Sequence, residues 1–156
     1  MNQLSIQKRT QIISLLVEGN SLRATSRIAD VSINTVTKLL VSVGKACQKF
    51  HDESVKNVRA KKVQCDEIWS FVYAKEKNKP DNVEGAGDVW TWTAIDSDSK
   101  LIISWLVGER DAYTANIFMN DVASRLATRI QLTTDGLKAY LEAVADAFGS
   151  RIDFAQ

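Results

Sequence analysis

The stretch VQCDEIWSF, Val63 to Phe71, poses the question on which the fold turns. Val63, Cys65, Trp69 and Phe71 fall on one alternating set and Ile68 and Val72 on the other, so the spacing predicts a strand buried on both faces. Asp66 and Glu67 stand side by side in its middle. An unpaired carboxylate is costly to bury, so acids in such a strand call for a cation of the chain or a metal ion.

Toward the carboxy terminus, AKEKNKPDNVEGAGD contains the only proline and reads as a long exposed loop. VWTWTAID is a second strand with Trp90, Trp92 and Ala94 on one face, SDSK a turn, and LIISWLVGE a third strand rich in β-branched residues. The tryptophans, Trp105 included, are expected in the core or packed between strands. Asp111 is placed to cap a helix whose apolar face is Ala115, Phe118, Met119, Val122 and Leu126. RIQLTTDG gives a short fourth strand. LKAYLEAVADAF is a second helix with Leu137, Tyr140, Leu141, Val144 and Phe148 at helical spacing, closed by Gly149, and RIDFAQ is a fifth strand.

Three strands in succession followed by helix, strand, helix, strand is the order of an RNase H-like domain of the α/β class. There the fourth strand lies beside the first, because the intervening helix crosses the sheet. Asp66 on the first strand and Asp135 at the end of the fourth then come together, since neighbouring strands lie about 4.8 Å apart. Two such carboxylates can share a divalent cation, and hard oxygen ligands suit Mg2+ or Mn2+. A cation there activates water or a 3′-hydroxyl for attack on a phosphate. Each acid alone also has a simpler reading: Asp135 could be the N-cap of the following helix, and Asp66 could pair with a lysine. Glu67 points to the opposite face from Asp66 and is read as structural.

Upstream of the decisive stretch the charge changes sign. Through Lys62 there are 11 Lys and Arg against 4 Asp and Glu, and from Val63 onward 9 against 15. A basic first third is drawn to phosphates, and an acidic remainder needs a metal to approach the same polyanion. RTQIISLLVEGN reads as a helix with Ile12, Ile13 and Leu16 on one face and a stop at Gly19-Asn20. Ser21 caps LRATSRIA, and DVS turns into INTVTKLLVSVGKACQKF with an apolar seam of Val36, Leu39 and Leu40.

Two short helices joined by a tight turn resemble a helix-turn-helix, with Val31, Val36 and Leu39 in its small core and Ser26 where the helices cross. Asp30 stands where glycine is usual and tolerates a left-handed backbone better than most residues. Asn34, Thr35, Thr37 and Lys38 would face DNA, with Arg23 and Arg27 available for phosphates. The competing reading is a helical hairpin that packs on the rest of the chain. The expected division is 1–50 helix-turn-helix, 51–62 basic linker (with His51 solvated) and 63–156 catalytic domain.

No apolar run is long enough to cross a membrane, and the amino terminus lacks the apolar core of a signal peptide. The expected location is the cytoplasm, with no membrane partner. Cys47 and Cys65 are two lone cysteines without CxxC spacing, which argues against a disulfide framework or a zinc site.

EGNSLRATSRIADVSINTVTKLL, VQCDEIWSFV, GDVWTWTAIDSDSKLIISWLVGERD and LTTDGLKAYLEAV together resemble transposases of the insertion-sequence-one family, across essentially the whole chain. CDEIWSF with TTDGLKAY is the specific pair. The resemblance implies a DNA-binding amino-terminal part and a DDE catalytic domain that cuts at mobile-element ends and joins the freed 3′-hydroxyls to target DNA, using divalent metal and no covalent protein intermediate. Double-stranded DNA, as element ends and target, is the implied partner, with a homo-oligomer assembled on it. Asp66 matches the first acid of the triad and Asp135 the second.

The third acid belongs on a helix after the fifth strand, so the resemblance implies a domain lacking its last helices, truncated at the carboxy terminus. Little transposition is then expected of this polypeptide alone, and an apolar sheet face is expected to lie exposed. The alternative within the same resemblance is a non-catalytic DNA-binding fragment that represses or inhibits transposition. A helix-turn-helix regulator with a ligand-binding acidic domain is a third reading.

Overall fold

The computed structural model describes residues 4–156 and divides into two compact units, Met1–Ser54 and Val55–Gln156. The first unit is all helical: α1 (Ile6–Val17), α2 (Leu22–Ile28) and α3 (Ile33–Ser54). Each boundary has a local cause. The Ser5 hydroxyl accepts from the Lys8 amide, and Ser21 accepts from the Ala24 amide at 3.1 Å, so both helices start on capping serines. Gly19, at φ 80°, ends α1 with its amide donated to the Leu16 carbonyl. Asp30 takes φ 50° in the turn between α2 and α3, and the Ser26 hydroxyl donates to the Val31 carbonyl at 2.6 Å across that turn.

Ile12, Ala29 and Val36 are the fully buried apolar centre of this unit, with Leu15, Leu16, Leu22, Val31 and Leu39 around them. Leu40, expected on the seam, is 41% exposed, because the buried stripe of α3 runs through Val36 and Leu39 and leaves Leu40 on its flank. α3 also runs through the start of the expected linker, so His51 lies half-buried in a helix instead of in a solvated connection. Ser21→Ala is expected to cost the first unit about 1 kcal/mol, the usual worth of an N-cap serine, measured as a lower denaturation midpoint by circular dichroism.

The second unit is a five-stranded mixed sheet with helices α4 (Ala112–Arg125) and α5 (Ala139–Phe148). Its strands are β1 (Lys62–Val72), β2 (Gly87–Asp96), β3 (Ile102–Gly108), β4 (Ile130–Thr133) and β5 (Ile152–Ala155), in spatial order β3-β2-β1-β4-β5. β1, β2 and β3 are antiparallel neighbours, and β4 joins β1 in parallel, as does β5 with β4. This is the RNase H-like arrangement that the element order predicts. The β2–β3 turn is fixed by Asp96, which accepts from the Ser99 hydroxyl at 2.5 Å and from the amides of Asp98 and Ser99. Those bonds, the Ser99 hydroxyl first, hold its carboxyl below the ordinary range.

The apolar core lies between one sheet face and the two helices. Val63, Cys65, Trp92, Ala94 and Leu132 meet Ala115, Phe118, Met119 and Val122 of α4 and Tyr140, Val144 and Phe148 of α5. Leu141, expected on the apolar face of α5, is exposed, since the buried positions are Tyr140, Ala143, Val144 and Phe148.

β1 is not buried on both faces. Ile68, Phe71 and Val72 are exposed, and so is Trp105 of β3, contrary to the packed position expected for it. Cross-strand rows on the outer face run Asp66–Thr93–Trp105 and Ile68–Thr91–Val107, and Val107 is exposed as well. Thus the apolar residues of β1 and β3 on this side form an exposed surface. Among the described residues, no helix is long and apolar enough to cross a membrane.

Candidate active site

β4 is short, and its pairing with β1 covers only Lys62, Gln64 and the Val63 between them, against Gln131 to Thr133. Past Gln64, β1 has no neighbour on that side, and past Thr133 the chain leaves the sheet toward α5. Asp66 lies two residues beyond the last pair on one strand, and Asp135 two residues beyond it on the other. Crossing from β1 to β4 in parallel register therefore brings the two acids to the same end of the same gap.

One carboxylate oxygen from each of Asp66, Glu67 and Asp135 lies within 4.8 Å of the others. Asp66 and Glu67 alternate along β1, as expected, yet their carboxylates come together with that of Asp135 just past the end of the β1–β4 pairing. Asp66 is exposed, whereas the Glu67 side chain is 1% exposed.

The burial of Glu67 is matched by two donors. The Tyr140 hydroxyl donates to Oε1, and Arg110 Nε donates to Oε2 at 3.0 Å. Burial first, then this bond to Glu67, push the Tyr140 phenol well above its ordinary range, so it stays protonated and donates. Arg110 also reaches Asp135, its Nη2 donating to Oδ2 at 3.1 Å, and its guanidinium lies 5.0 Å from the centre of the Trp90 ring. A planar fork on an aromatic face, gripping two carboxylates, is a geometry lysine cannot reproduce.

Asp135 Oδ1 accepts from the Leu137 amide at 3.0 Å, the bond of an aspartate turn. It does not cap α5, whose N-cap position is Lys138 without a side-chain bond. Asp66 Oδ1 accepts from the Glu67 amide at 2.8 Å. Among the described residues Asp66 Oδ2 alone, of the six oxygens, has no hydrogen-bond donor.

The donor set fits a hard divalent cation: the converging groups are all carboxylate oxygens, two of them on exposed side chains that can retain waters at the ion. Cys65, next in line on β1, adds no soft ligand. Burial first, then the charges of Glu67 and Asp66, push its thiol well above the ordinary range. Asp66 and Asp135, the residues singled out from sequence, would hold such an ion, and Glu67 would hold Arg110. Sequence reading missed Arg110 and treated Tyr140 only as an apolar position. Both had a visible signal: a phenol on the face of α5 that packs on the sheet, and an arginine two residues past the end of β3.

In the first unit, Arg23 and Arg27 are exposed on α2, and Asn34, Thr37 and Lys38 are exposed on α3. Thr35 is half-buried, its hydroxyl bonded to that of Ser32 at 2.8 Å, and the Thr37 hydroxyl donates to the Ile33 carbonyl at 3.0 Å. Both threonines thus spend hydroxyl bonds on their own helix. Lys38 and Thr37 share a shallow depression with Val41, Ser42 and Lys45, and Lys45 extends the cationic stripe beyond the residues singled out from sequence.

Neither a family model nor a curated protein matches this sequence. Among solved structures, it resembles the Mos1 mariner paired end complex with Mn at a TM-score of 0.43 and 14% identity, covering 100% of this chain and 60% of that one. The Mos1 transposase paired-end complex with left transposon end gives 0.40 and 11%, covering 99% and 60%. A pre-cleavage Mos1 transpososome gives 0.39 and 12%, again covering 99% and 60%. This chain thus spans about three fifths of the length of those proteins. Overlap at such scores carries no weight for function, and the fold assignment rests on the strand order.

Proposed function

We propose that this chain is a DDE-type transposase of the insertion-sequence-one kind, or a part of one, which binds mobile-element ends and acts on their phosphodiester bonds with a divalent metal. One observation carries the reading: the parallel pairing of β1 with β4 brings the carboxylates of Asp66 and Asp135 to one end of the gap between these strands, with Glu67 beside them. Three carboxylates meet a single guanidinium there, that of Arg110, so negative charge is left over for a further cation.

Asp66 and Asp135 would be the catalytic ligands for Mg2+ or Mn2+. Bound there, the cation would activate water or a 3′-hydroxyl and stabilise charge at the phosphorus under in-line attack. The chain's own residues do the rest. Asp135 is aimed by the Leu137 amide and Arg110, Asp66 is steadied by the Glu67 amide, and Glu67 is held by Tyr140. The exposed Arg23, Arg27, Asn34 and Lys38, with Thr35 and Thr37, would meet double-stranded DNA, where the basic residues contribute through phosphate contacts. Assembly as a homo-oligomer on DNA and a location with the bacterial nucleoid belong to the same reading.

The test is nicking of supercoiled plasmid carrying candidate element ends, with Mn2+ and with chelator. Cleavage that needs the metal and both Asp66 and Asp135 supports the enzyme. DNA retention without any cleavage would favour the alternative, a non-catalytic DNA-binding protein that inhibits transposition.

A second prediction separates the two units. Lys38→Ala is expected to weaken DNA retention about tenfold at low salt and to flatten its salt dependence, as loss of a phosphate contact does. Asp66→Asn should retain DNA like the unsubstituted chain. Equal losses in a filter-binding titration would sink the division of labour.

A further inference from the structure

We propose that Arg110 is an internal counter-ion that competes with the divalent cation for Asp135 and thereby sets the metal affinity of the site. The inference rests on the reading of Asp66 and Asp135 as metal ligands and adds a control on how tightly they bind.

Arg110 and the cation compete as charges for the same carboxylate. Asp66 can offer Oδ2 without breaking any bond. Asp135 cannot offer an oxygen so freely: Oδ1 receives the Leu137 amide and Oδ2 receives Arg110 Nη2 at 3.1 Å. The backbone amide is fixed by the turn, so the mobile partner is the guanidinium. Each Asp135 oxygen keeps a lone pair, but a cation shared by the two aspartates would sit close to the guanidinium on Oδ2 and be opposed by its charge unless Arg110 turns aside.

Arg110 can yield without leaving. Its Nε stays on the buried Glu67, whose other oxygen is held by Tyr140, and its face stays on Trp90. Its side chain is 35% exposed, so the freed edge turns toward solvent at the mouth of the site. Charge-assisted, planar bonds of this kind are among the stronger polar contacts a surface offers, and giving one up costs metal affinity. Positive charge nonetheless remains at the place where a phosphate would approach.

The test reads metal binding directly, apart from any turnover. Free Mn2+ is followed by electron paramagnetic resonance as the full chain is titrated, for the unsubstituted protein, Arg110→Gln, Arg110→Lys, Asp66→Asn and the pair Arg110→Gln with Asp135→Asn. Arg110→Gln is expected to bind Mn2+ about tenfold more tightly, and Asp135→Asn in that background to abolish the gain. A residue that merely stabilised the fold would change affinity in the opposite direction. Far-ultraviolet circular dichroism checks folding; should the glutamine variant fail to fold, Arg110→Lys keeps the charge but cannot span both acids, and about threefold tighter binding is expected of it.

Equal or weaker binding by a folded Arg110 variant overturns the proposal. If the unsubstituted chain and Asp66→Asn bind Mn2+ alike, the metal-site reading itself fails, and the counter-ion role falls with it.

Discussion

Asn in place of Asp66, or of Asp135, is expected to lower metal-dependent nicking by on the order of a thousandfold, the scale of losing a central charge-stabilising group. Amide for carboxylate keeps the shape and the acceptor oxygen but removes the negative charge that a hard cation requires. Neither residue is part of the apolar core, so the fold should survive and the denaturation midpoint should move little. The two substitutions should also be non-additive: once one ligand is lost, the other has little left to hold. The measurement is a plasmid-nicking time course with each single variant and the double. A double variant whose losses multiply would show that the acids act in separate steps or separate sites.

Trp92→Ala is expected to produce the largest loss of stability, about 3–5 kcal/mol, as removal of a buried large aromatic does. Trp92 is fully buried at the centre of the sheet. Its ring meets Phe118 at 5.8 Å and Tyr140 edge-on at 5.4 Å, and its indole donates to the Glu109 carbonyl at 3.0 Å. That indole therefore fixes three things at once: α4, the start of α5, and the segment that delivers Arg110. All four tryptophans, at 69, 90, 92 and 105, lie in the second unit. Tryptophan fluorescence in a urea titration thus reports that unit without interference from the helical one. A midpoint shift equivalent to less than about 1 kcal/mol would mean that the site's supports are redundant.

Sequence patterning exposed much of this architecture because its elements are strongly marked. Asp111 does cap α4, its carboxylate accepting from the Thr114 amide at 2.8 Å, and the predicted apolar face of that helix is the buried one at Ala115, Phe118, Met119 and Val122. The juxtaposition of Asp66 with Asp135 followed from strand order alone. What patterning could not give is where a pairing stops. Alternation makes β1 look uniformly buried, yet the core covers one face only and only the first part of the strand, so Ile68, Phe71 and Val72 remain in solvent. The β1–β4 pairing ends before Glu67, and no periodicity marks that stop. Arg110 escaped for a related reason: its two partners lie 43 and 25 positions away, a distance that local spacing does not register.

The uneven neighbours of β1 have a mechanical consequence. Up to Gln64 its backbone is clamped from both flanks, by β2 and by β4; beyond it, β2 alone remains. Amides in the first part should resist exchange with solvent, while those further along open at lower cost. Asp66 and Glu67 sit just past that change in stiffness. Their carboxylates are rooted next to the most rigid backbone of the unit but lie on its compliant side, so the site can adjust its grip by small movements of the strand's outer half without loosening the sheet beneath.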